Sequence, residues 1–221
     1  MNKKNLTTKE TFDLAVQNHK KNNLQAAEKL YKEILKTNPN FEGAYNNLAN
    51  VLHELGKHQK AISCYEKAIQ INPNYANAHY NLGSVLDELE EHKKAISCYE
   101  KAIQIQPNYA NAHYNLGLVF KKLGEFQKAV SCYEKAVQIN PNFAGAHNNL
   151  GNVLHELGEF QKAVSCYEKA VQINPNFAGT HNNLGLVFKE LGKFQKAVSC
   201  YEKAVQINPN FVDAHNNLGA V

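Results

Sequence analysis

Proline occurs along this chain at a fixed interval of 34 residues. The six prolines are Pro39, Pro73, Pro107, Pro141, Pro175 and Pro209. The five cysteines, from Cys64 to Cys200, keep the same interval. Such a period indicates tandem structural units that must stack on one another to bury their apolar faces. The chain therefore divides into an N-terminal segment, 1–7, six complete repeats, 8–41, 42–75, 76–109, 110–143, 144–177 and 178–211, and the first helix of a seventh, 212–221.

Each repeat is predicted to fold as two helices separated by a short turn. In the fifth repeat, apolar residues recur at helical spacing from Ala144 to Leu157 and again from Phe160 to Ile173. Gly158 lies between the two segments, and glycine readily adopts the left-handed conformation that ends a helix. Asn22 and Glu90 occupy this position in two other repeats. Glu90 should lower stability by about 1 kcal/mol, because a left-handed backbone crowds its Cβ.

Several helix ends also carry sequence signals. Proline cannot continue a helix, so Pro175 is expected to end the second helix of its repeat. Asn176 follows it and is expected to cap the N-terminus of the next helix with its side chain. Thr7 and Glu10 have the spacing of a capping box, which predicts the start of the first helix.

The residue pattern within each repeat resembles that of the tetratricopeptide repeat family. In the third repeat the pattern reads Leu82-Gly83, Ala95, Tyr99, Ala102 and Pro107. The resemblance implies an all-α fold, a right-handed superhelical solenoid of stacked antiparallel helix pairs whose first helices line the concave surface. It also implies a protein-interaction module. The first repeat is degenerate, with Thr11 and Asn18 at usually apolar positions, as expected of an N-terminal cap.

Charge and composition argue against several classes of function. The net charge is +4, and all 24 basic residues are lysines. A dedicated nucleic-acid binder usually concentrates basic charge on one face, and no run approaches the roughly 18 apolar residues of a membrane helix. We therefore expect neither a nucleic-acid nor a membrane partner. The absence of a secretory signal and the odd number of thiols indicate a cytoplasmic location, and abundant Lys, Asn and Ile indicate a bacterial genome of low GC content.

The periodic histidines and cysteines do not predict a metal site, a cofactor site or a catalytic centre. Equivalent residues in stacked helix pairs lie about 10 Å apart, which is too far for shared metal ligands or a disulfide. All five cysteines are therefore expected to be free thiols. The segment from His53 to His58 is similar to a zinc protease motif, but its second histidine comes one residue late and across the predicted turn. We expect a chain that is not itself an enzyme.

Asparagine recurs on the first helix of every repeat after the first, one position before a leucine. These residues are Asn47, Asn81, Asn115, Asn149, Asn183 and Asn217. Because a side-chain amide both donates and accepts hydrogen bonds, a row of them can hold an extended peptide through its backbone. The row resembles the asparagine ladder in the repeats of O-GlcNAc transferases. The alternative is that a genome of low GC content and tandem duplication filled polar surface with asparagine.

Other polar and aromatic residues flank this row. They are Asn46, Asn50, Asn148, Asn152 and Asn182, together with Tyr80 and Tyr114 where other repeats have asparagine. Asn46, Asn50 and Asn81 match part of the clamp with which some tetratricopeptide repeats bind the carboxylate-ended tails of chaperones. The cationic positions of that clamp hold asparagine here, so this ligand is not expected. The two tyrosines are either anchors for a bound peptide or part of the packing between helices.

Three functions follow from the sequence. The first is a scaffold that binds an extended peptide segment in the concave groove. The second is the substrate-recruiting N-terminal arm of a larger enzyme, such as a glycosyltransferase, sulfotransferase or methyltransferase, and the third is a self-assembling scaffold. Val212, Leu218 and Val221 lack the second helix that covers such residues in complete repeats. We therefore expect a piece of a longer protein, or a homodimer through this open end.

Overall fold

The computed structural model describes residues 6–221, so residues 1–5 of the predicted N-terminal segment lie outside the described part. Its helices are α1 (Thr8–Lys20), α2 (Leu24–Thr37), α3 (Glu42–Glu54), α4 (His58–Ile71), α5 (Ala76–Glu88), α6 (His92–Ile105), α7 (Ala110–Lys122), α8 (Phe126–Ile139), α9 (Ala144–Glu156), α10 (Phe160–Ile173), α11 (Ala178–Glu190), α12 (Phe194–Ile207) and α13 (Val212–Gly219). Odd-numbered helices are the first helices of their repeats, and even-numbered helices are the second. Residues 6–221 contain no strand, and the predicted all-α helical repeat array is confirmed.

The chain forms two compact bodies. The N-terminal body ends at Pro107 and contains α1–α6, whereas the C-terminal body begins at Asn108 and contains α7–α13. Within each body, the two helices of a repeat pack against each other, and the second helix also packs on the first helix of the next repeat. This order of contacts is that of helix pairs stacked in sequence. Across the described range, no helix is both long enough and apolar enough to span a membrane.

A tyrosine in the second helix of each repeat fills the space between the paired helices. All six of these tyrosines are at most 2% exposed. The first helix comes close because a small residue faces the ring: a Cβ added to Gly151 would lie 2.7 Å from Cε1 of Tyr167. Alanine occupies this position in the first two repeats, as Ala15 and Ala49. The small residue and the tyrosine together set the distance between the two helices.

The first helix of each complete repeat ends at a left-handed residue, as the sequence predicts. Glu90 has a φ angle of 60° and Gly158 a φ angle of 73°. At Glu90, two backbone hydrogen bonds close the turn, from Glu90 N–H to Asp87 O at 3.0 Å and from Glu91 N–H to Leu86 O at 2.8 Å. This is the pattern of a Schellman motif. This tight turn reverses the chain direction, so the second helix packs antiparallel to the first.

The turn between repeats differs from the prediction. Asn176 does not cap the following helix, because the N-cap of α11 is Phe177 and makes no side-chain cap hydrogen bond. Instead, Oδ1 of Asn174, before the proline, accepts a hydrogen bond from the Asn176 backbone N–H at 3.3 Å. Asparagine often forms such local bonds to the backbone, and they compete with capping. The capping box of Thr7 and Glu10 at the start of α1 is confirmed.

Histidines in several first helices bond to the proline turn that precedes them, a contact that was not predicted. Nε2 of His79 lies 3.1 Å from Pro73 O, and Nε2 of His147 lies 3.0 Å from Pro141 O. Burial lowers the pKa of both imidazoles, although the bond to the proline carbonyl partly opposes this change. A neutral imidazole with its proton on Nε2 can donate this bond. The bond fixes the turn against the start of the first helix.

The hydroxyl groups of the core tyrosines differ in their partners. The hydroxyls of Tyr65 and Tyr167 donate hydrogen bonds to Oδ1 of Asn50 and Asn152, at 2.6 Å and 2.8 Å respectively. Both acceptors lie on the first helix of the same repeat. In the third repeat, Ser84 takes the place of the asparagine. A polar residue at this position therefore accepts a hydrogen bond from the tyrosine hydroxyl, which is buried together with its ring.

Three repeats lack that acceptor. The first, fourth and sixth repeats have Val16, Leu118 and Leu186 at the equivalent position. In these repeats the hydroxyls of Tyr31, Tyr133 and Tyr201 are buried without a hydrogen-bond partner among residues 6–221. A buried polar group without a partner destabilises a protein by roughly 1–3 kcal/mol. The pairing of the first and second helix is therefore stabilised less by hydrogen bonding in these repeats than in the second and fifth.

Replacing Glu90 with glycine should stabilise the N-terminal body. Glycine has no Cβ to crowd the following carbonyl, so Glu90→Gly should raise the free energy of unfolding by about 1 kcal/mol in urea denaturation. Asn22→Gly is the matched control, because Asn22 has a φ angle of 59° and asparagine tolerates this conformation better. Equal gains at the two positions, or no gain at Glu90, would contradict the expected strain.

Replacing Asn152 with leucine should destabilise the C-terminal body by about 1–3 kcal/mol, because the Tyr167 hydroxyl loses its acceptor. The variant copies the fourth and sixth repeats, so a leucine fits this position. Asn152→Ser is the matched control, because Ser84 accepts a hydrogen bond from the Tyr99 hydroxyl at 3.2 Å. Thermal or urea denaturation should find the serine variant more stable than the leucine variant. Identical unfolding of the two would show that the acceptor contributes nothing.

Candidate peptide-binding site

Asparagines at equivalent positions of the first helices are the candidate peptide-binding residues of each body, and we call them the rungs. They are Asn47 and Asn81 in the N-terminal body, and Asn115, Asn149, Asn183 and Asn217 in the C-terminal body. Each rung precedes a leucine, so helical periodicity places it at the edge of the packed face, and all six are half-buried. A side chain at this edge can contact both the protein and a ligand.

Three rungs of the C-terminal body donate a hydrogen bond to the repeat before them. The pairs are Asn149 with Tyr114, Asn183 with Asn152, and Asn217 with Asn182. In each pair the distance from Nδ2 of the rung to the accepting oxygen is 2.9 Å. The donor is always the rung, and the acceptor always belongs to the preceding first helix. A row of side-chain bonds therefore joins α7, α9, α11 and α13.

The N-terminal body contains the same arrangement. Nδ2 of Asn81 lies 3.1 Å from Asn46 Oδ1 and 3.2 Å from Asn50 Oδ1, which joins α5 to α3. Nδ2 of Asn46 lies 3.2 Å from Oδ1 of Asn47. The direction of the bond is thus the same in both bodies, from a rung to the first helix of the preceding repeat.

Three of the asparagines expected beside the rungs as peptide contacts are instead buried. Asn46 is 4% exposed, Asn148 is 8% exposed and Asn182 is 5% exposed. Asn148 donates a hydrogen bond to Oδ1 of Asn149 at 3.4 Å and accepts one from the Thr180 hydroxyl at 2.9 Å. These side chains lie behind the rungs and orient them. Their burial depends on the neighbouring repeat, which the sequence of a single helix does not reveal.

Tyr80 and Tyr114 pack against other aromatic rings. The ring centroid of Tyr80 lies 5.9 Å from that of Tyr99. The centroid of Tyr114 lies 5.8 Å from that of Tyr133 and 4.7 Å from that of Phe143. Burial raises the pKa of Tyr114. Of the two roles open to these residues, packing between helices accounts for the contacts that they make.

The tethered rungs keep hydrogen-bonding capacity for a ligand. A side-chain amide has two N–H donors and an oxygen that accepts. Asn183 and Asn217 each use one N–H within the protein, and no donor among residues 6–221 bonds to the Oδ1 atom of either. Each of these amides therefore presents one donor and one acceptor in a fixed orientation.

The charges along the first helices of the C-terminal body nearly balance. Beyond the rungs, toward the helix ends, the chain carries Lys121, Lys122, Glu156, Lys189 and Glu190, with His155. Three positive charges face two negative ones, and arginine is absent from the sequence. This surface has no strong field of either sign, so charge alone does not select a ligand.

The thiols do not form a reactive site. Burial raises the pKa of Cys98, Cys166 and Cys200 to about 11, and it also raises the pKa of Cys64. The thiolate is the nucleophilic form, so these groups are unreactive at neutral pH. The same four residues are free cysteines, without a disulfide partner in the described chain.

One group of potential metal ligands lies in the N-terminal body. His53, His58 and Glu88 each place a ligand atom within 4.8 Å of the others. The turn that was expected to separate the two histidines instead folds back and brings them together. The sequence did contain a signal for this contact. His53 lies near the end of one predicted helix and His58 at the start of the next, and the tight turn between them brings the two side chains together.

The last helix leaves some apolar side chains uncovered. Val212 is 66% exposed and Val221 is 41% exposed, whereas Leu218 is half-buried. Val212 and Leu218 lie on α13 and Val221 follows it, and together they form a partly exposed apolar face. Pairing of this face with a second copy stays a prediction.

Sequence models of one family match most of the chain. Models described as tetratricopeptide repeat match residues 41–108, 110–143, 132–165 and 178–211, and one described as TPR repeat matches residues 151–192. A model described as anaphase-promoting complex subunit 5 matches residues 6–74. Comparison with curated protein sequences gives no match.

Solved structures of similar fold include YrrB, described as a TPR protein with an unusual peptide-binding site. It is 26% identical, with 84% of this chain and 96% of YrrB covered and a TM-score of 0.74. A structure of MamA is 31% identical, with 78% and 94% covered and a TM-score of 0.67. PilF of Pseudomonas aeruginosa has a TM-score of 0.85 over 97% of both chains, but at 19% identity it shows the fold alone. The repeated helix pairs and the family matches agree, and the chain belongs to the tetratricopeptide repeat family.

Proposed function

We propose that this chain is a protein-interaction scaffold that binds an extended peptide segment through the peptide backbone. The observation that carries the proposal is the row of tethered amides on α9, α11 and α13, at Asn149, Asn183 and Asn217. A tethered side chain has already lost much of its rotamer freedom. Binding a ligand therefore costs less entropy than it would with mobile surface asparagines.

The chemistry and spacing of the rungs fit an extended chain. Asn183 and Asn217 each offer one donor and one acceptor, and a peptide group offers the complementary pair. Stacked helices lie about 10 Å apart, and an extended chain advances about 3.3 Å per residue. One rung would therefore contact every third residue of the ligand. Such contacts bind the backbone of the ligand and do not distinguish its side chains. Specificity for those side chains therefore comes from other parts of the surface.

Known repeats with similar features support a peptide ligand. YrrB is described as having a peptide-binding site, and the rungs resemble the asparagine ladder in the repeats of O-GlcNAc transferases. We assign no catalytic role to the described residues, because the buried thiols are poor nucleophiles at neutral pH. Free thiols are compatible with a reducing compartment, and we place the function in the bacterial cytoplasm.

Loss of two rung amides should weaken peptide binding. Binders are first selected from a random peptide library, and the affinity of one synthetic peptide is then measured by fluorescence anisotropy. Asn183→Ala combined with Asn217→Ala should weaken binding by roughly five- to a hundredfold, because each lost neutral hydrogen bond contributes about 0.5–1.5 kcal/mol. Circular dichroism should show unchanged helicity.

Asn176→Ala is the matched control for this test. It removes the same amide from the same body, but from an exposed inter-repeat turn away from the rungs. Its affinity for the selected peptide should equal that of the unmodified chain. Undiminished affinity in the double variant, or an equal loss in the Asn176 variant, would remove the rungs from the proposed site.

Peptide binding should depend weakly on salt. The surface of the C-terminal body has nearly balanced charges and no arginine, so few interactions are available for screening. Between about 0.05 and 0.3 M salt, the dissociation constant of an uncharged selected peptide should change by less than about threefold. A steep loss of affinity with added salt would mean that lysine or glutamate side chains, and not the rung amides, dominate binding.

Two other functions remain proposals. As the arm of a larger enzyme, the chain would use the same rungs to recruit a substrate. As a self-assembling scaffold, it would use the exposed face of α13, where Val212 is 66% exposed. Light scattering over a range of protein concentrations separates the two, because only self-assembly makes the apparent mass rise with concentration.

A further inference from the structure

We propose that His53, His58 and Glu88 bind a divalent transition-metal ion, with Zn²⁺ as the expected ion. One ligand atom from each residue lies within 4.8 Å of the other two. All three residues belong to the N-terminal body. The proposed metal ligands therefore share no residue with the rungs of the C-terminal body, and the proposal does not depend on peptide binding.

The turn after α3 creates this group. His53 lies in the last turn of α3, and His58 is the first residue of α4. Gly56, with a φ angle of 71°, reverses the chain between them, so the two ring centroids lie 5.3 Å apart. Glu88 ends α5, the first helix of the next repeat, and its Oε2 lies 2.6 Å from Nε2 of His53.

An unpaired nitrogen points to a ligand at this position. Nδ1 of His58 is buried and has no hydrogen-bond partner in the described range, 6–221. A buried polar atom without a partner is unfavourable and uncommon in native proteins. In the neutral imidazole with its proton on Nε2, this nitrogen carries a lone pair that can bind a metal. A metal ion between the two rings would supply the missing partner.

The donor set selects the class of metal. Two imidazole nitrogens and one carboxylate oxygen suit Zn²⁺, and they also suit Cu²⁺ and Ni²⁺, whereas Ca²⁺ and Mg²⁺ prefer oxygen alone. Zinc–nitrogen bonds of about 2.0–2.1 Å place tetrahedral ligand atoms about 3.3 Å apart. The Glu88 side chain is 53% exposed and can move to meet this geometry. Three protein ligands leave the fourth position to water.

Neighbouring charges are already paired with other groups. Lys57 lies next to His58 in the sequence, but its Nζ atom bonds to Oε2 of Glu28 at 2.8 Å. Glu54 lies next to His53, but its Oε1 atom lies 2.8 Å from Nε2 of His19. The Glu88 carboxylate is therefore the charged group that closes the site.

The fifth repeat provides a natural comparison. His155 and Glu190 occupy the positions equivalent to His53 and Glu88, but Phe160 replaces the second histidine. The rings of His155 and Phe160 lie 5.6 Å apart, similar to the spacing of the two histidines. The fold therefore accepts either residue at the start of the second helix. Only the histidine adds a nitrogen that can bind a metal.

Zinc titration of the metal-free full chain tests the proposal. Calorimetry with ZnCl₂ should find one ion bound per unmodified chain. His58→Phe should weaken this binding by roughly a hundredfold or more, and Glu88→Gln by about tenfold. Phe160→His should add a second bound ion, because it rebuilds the group in the fifth repeat. Zinc should also raise the melting temperature of the unmodified chain but not that of His58→Phe.

The variants separate this site from the thiols. All five cysteines remain in His58→Phe, so zinc bound by cysteine would persist in that variant. Phenylalanine occupies this position in the fifth repeat, so loss of the fold does not account for lost binding. Failure of the unmodified chain to bind zinc, or unchanged affinity in His58→Phe, would overturn the proposal. Failure of Phe160→His to add an ion would overturn the claim that these three side chains suffice.

Discussion

The packing of a buried tyrosine ring against a small residue sets the spacing of the two helices in each repeat. Gly151 allows this contact with Tyr167, because even a methyl group at Gly151 would come within 2.7 Å of the ring. The ring carries a hydroxyl into the interface, and that hydroxyl needs an acceptor. Asn152, on the facing helix, supplies it in the fifth repeat. Apolar packing thus determines where a polar residue is needed.

The same asparagine connects this core contact to the candidate binding surface. Oδ1 of Asn152 accepts hydrogen bonds from the Tyr167 hydroxyl and from the rung Asn183. One oxygen therefore joins the core of one repeat to the surface of the next. The rungs are oriented by the packing beneath them, and they retain capacity that the fold does not use. Structural and ligand-binding roles of asparagine are compatible here because an amide makes several hydrogen bonds at once.

Near-identical repeats allow local chemistry to change without altering the fold. The second and fifth repeats share the turn, the tyrosine and its asparagine acceptor, yet the second helix begins with His58 in one and with Phe160 in the other. Both side chains lie against the histidine in the last turn of the first helix. The position is only partly buried, so packing does not dictate its polarity. A single substitution there changes an aromatic contact into a potential metal ligand.

The sequence by itself determined the features that depend on the local backbone. The period of 34 residues, the alternation of helices, and the left-handed residues Asn22 and Glu90 all follow from the conformational preferences of short segments. Only the tertiary structure decided which polar side chains are buried and which atoms meet. The burial of Asn148 and the meeting of His53 with Glu88 require a neighbouring repeat in place. Such contacts join residues more than 30 positions apart, and a pattern within one helix carries no information about their distance.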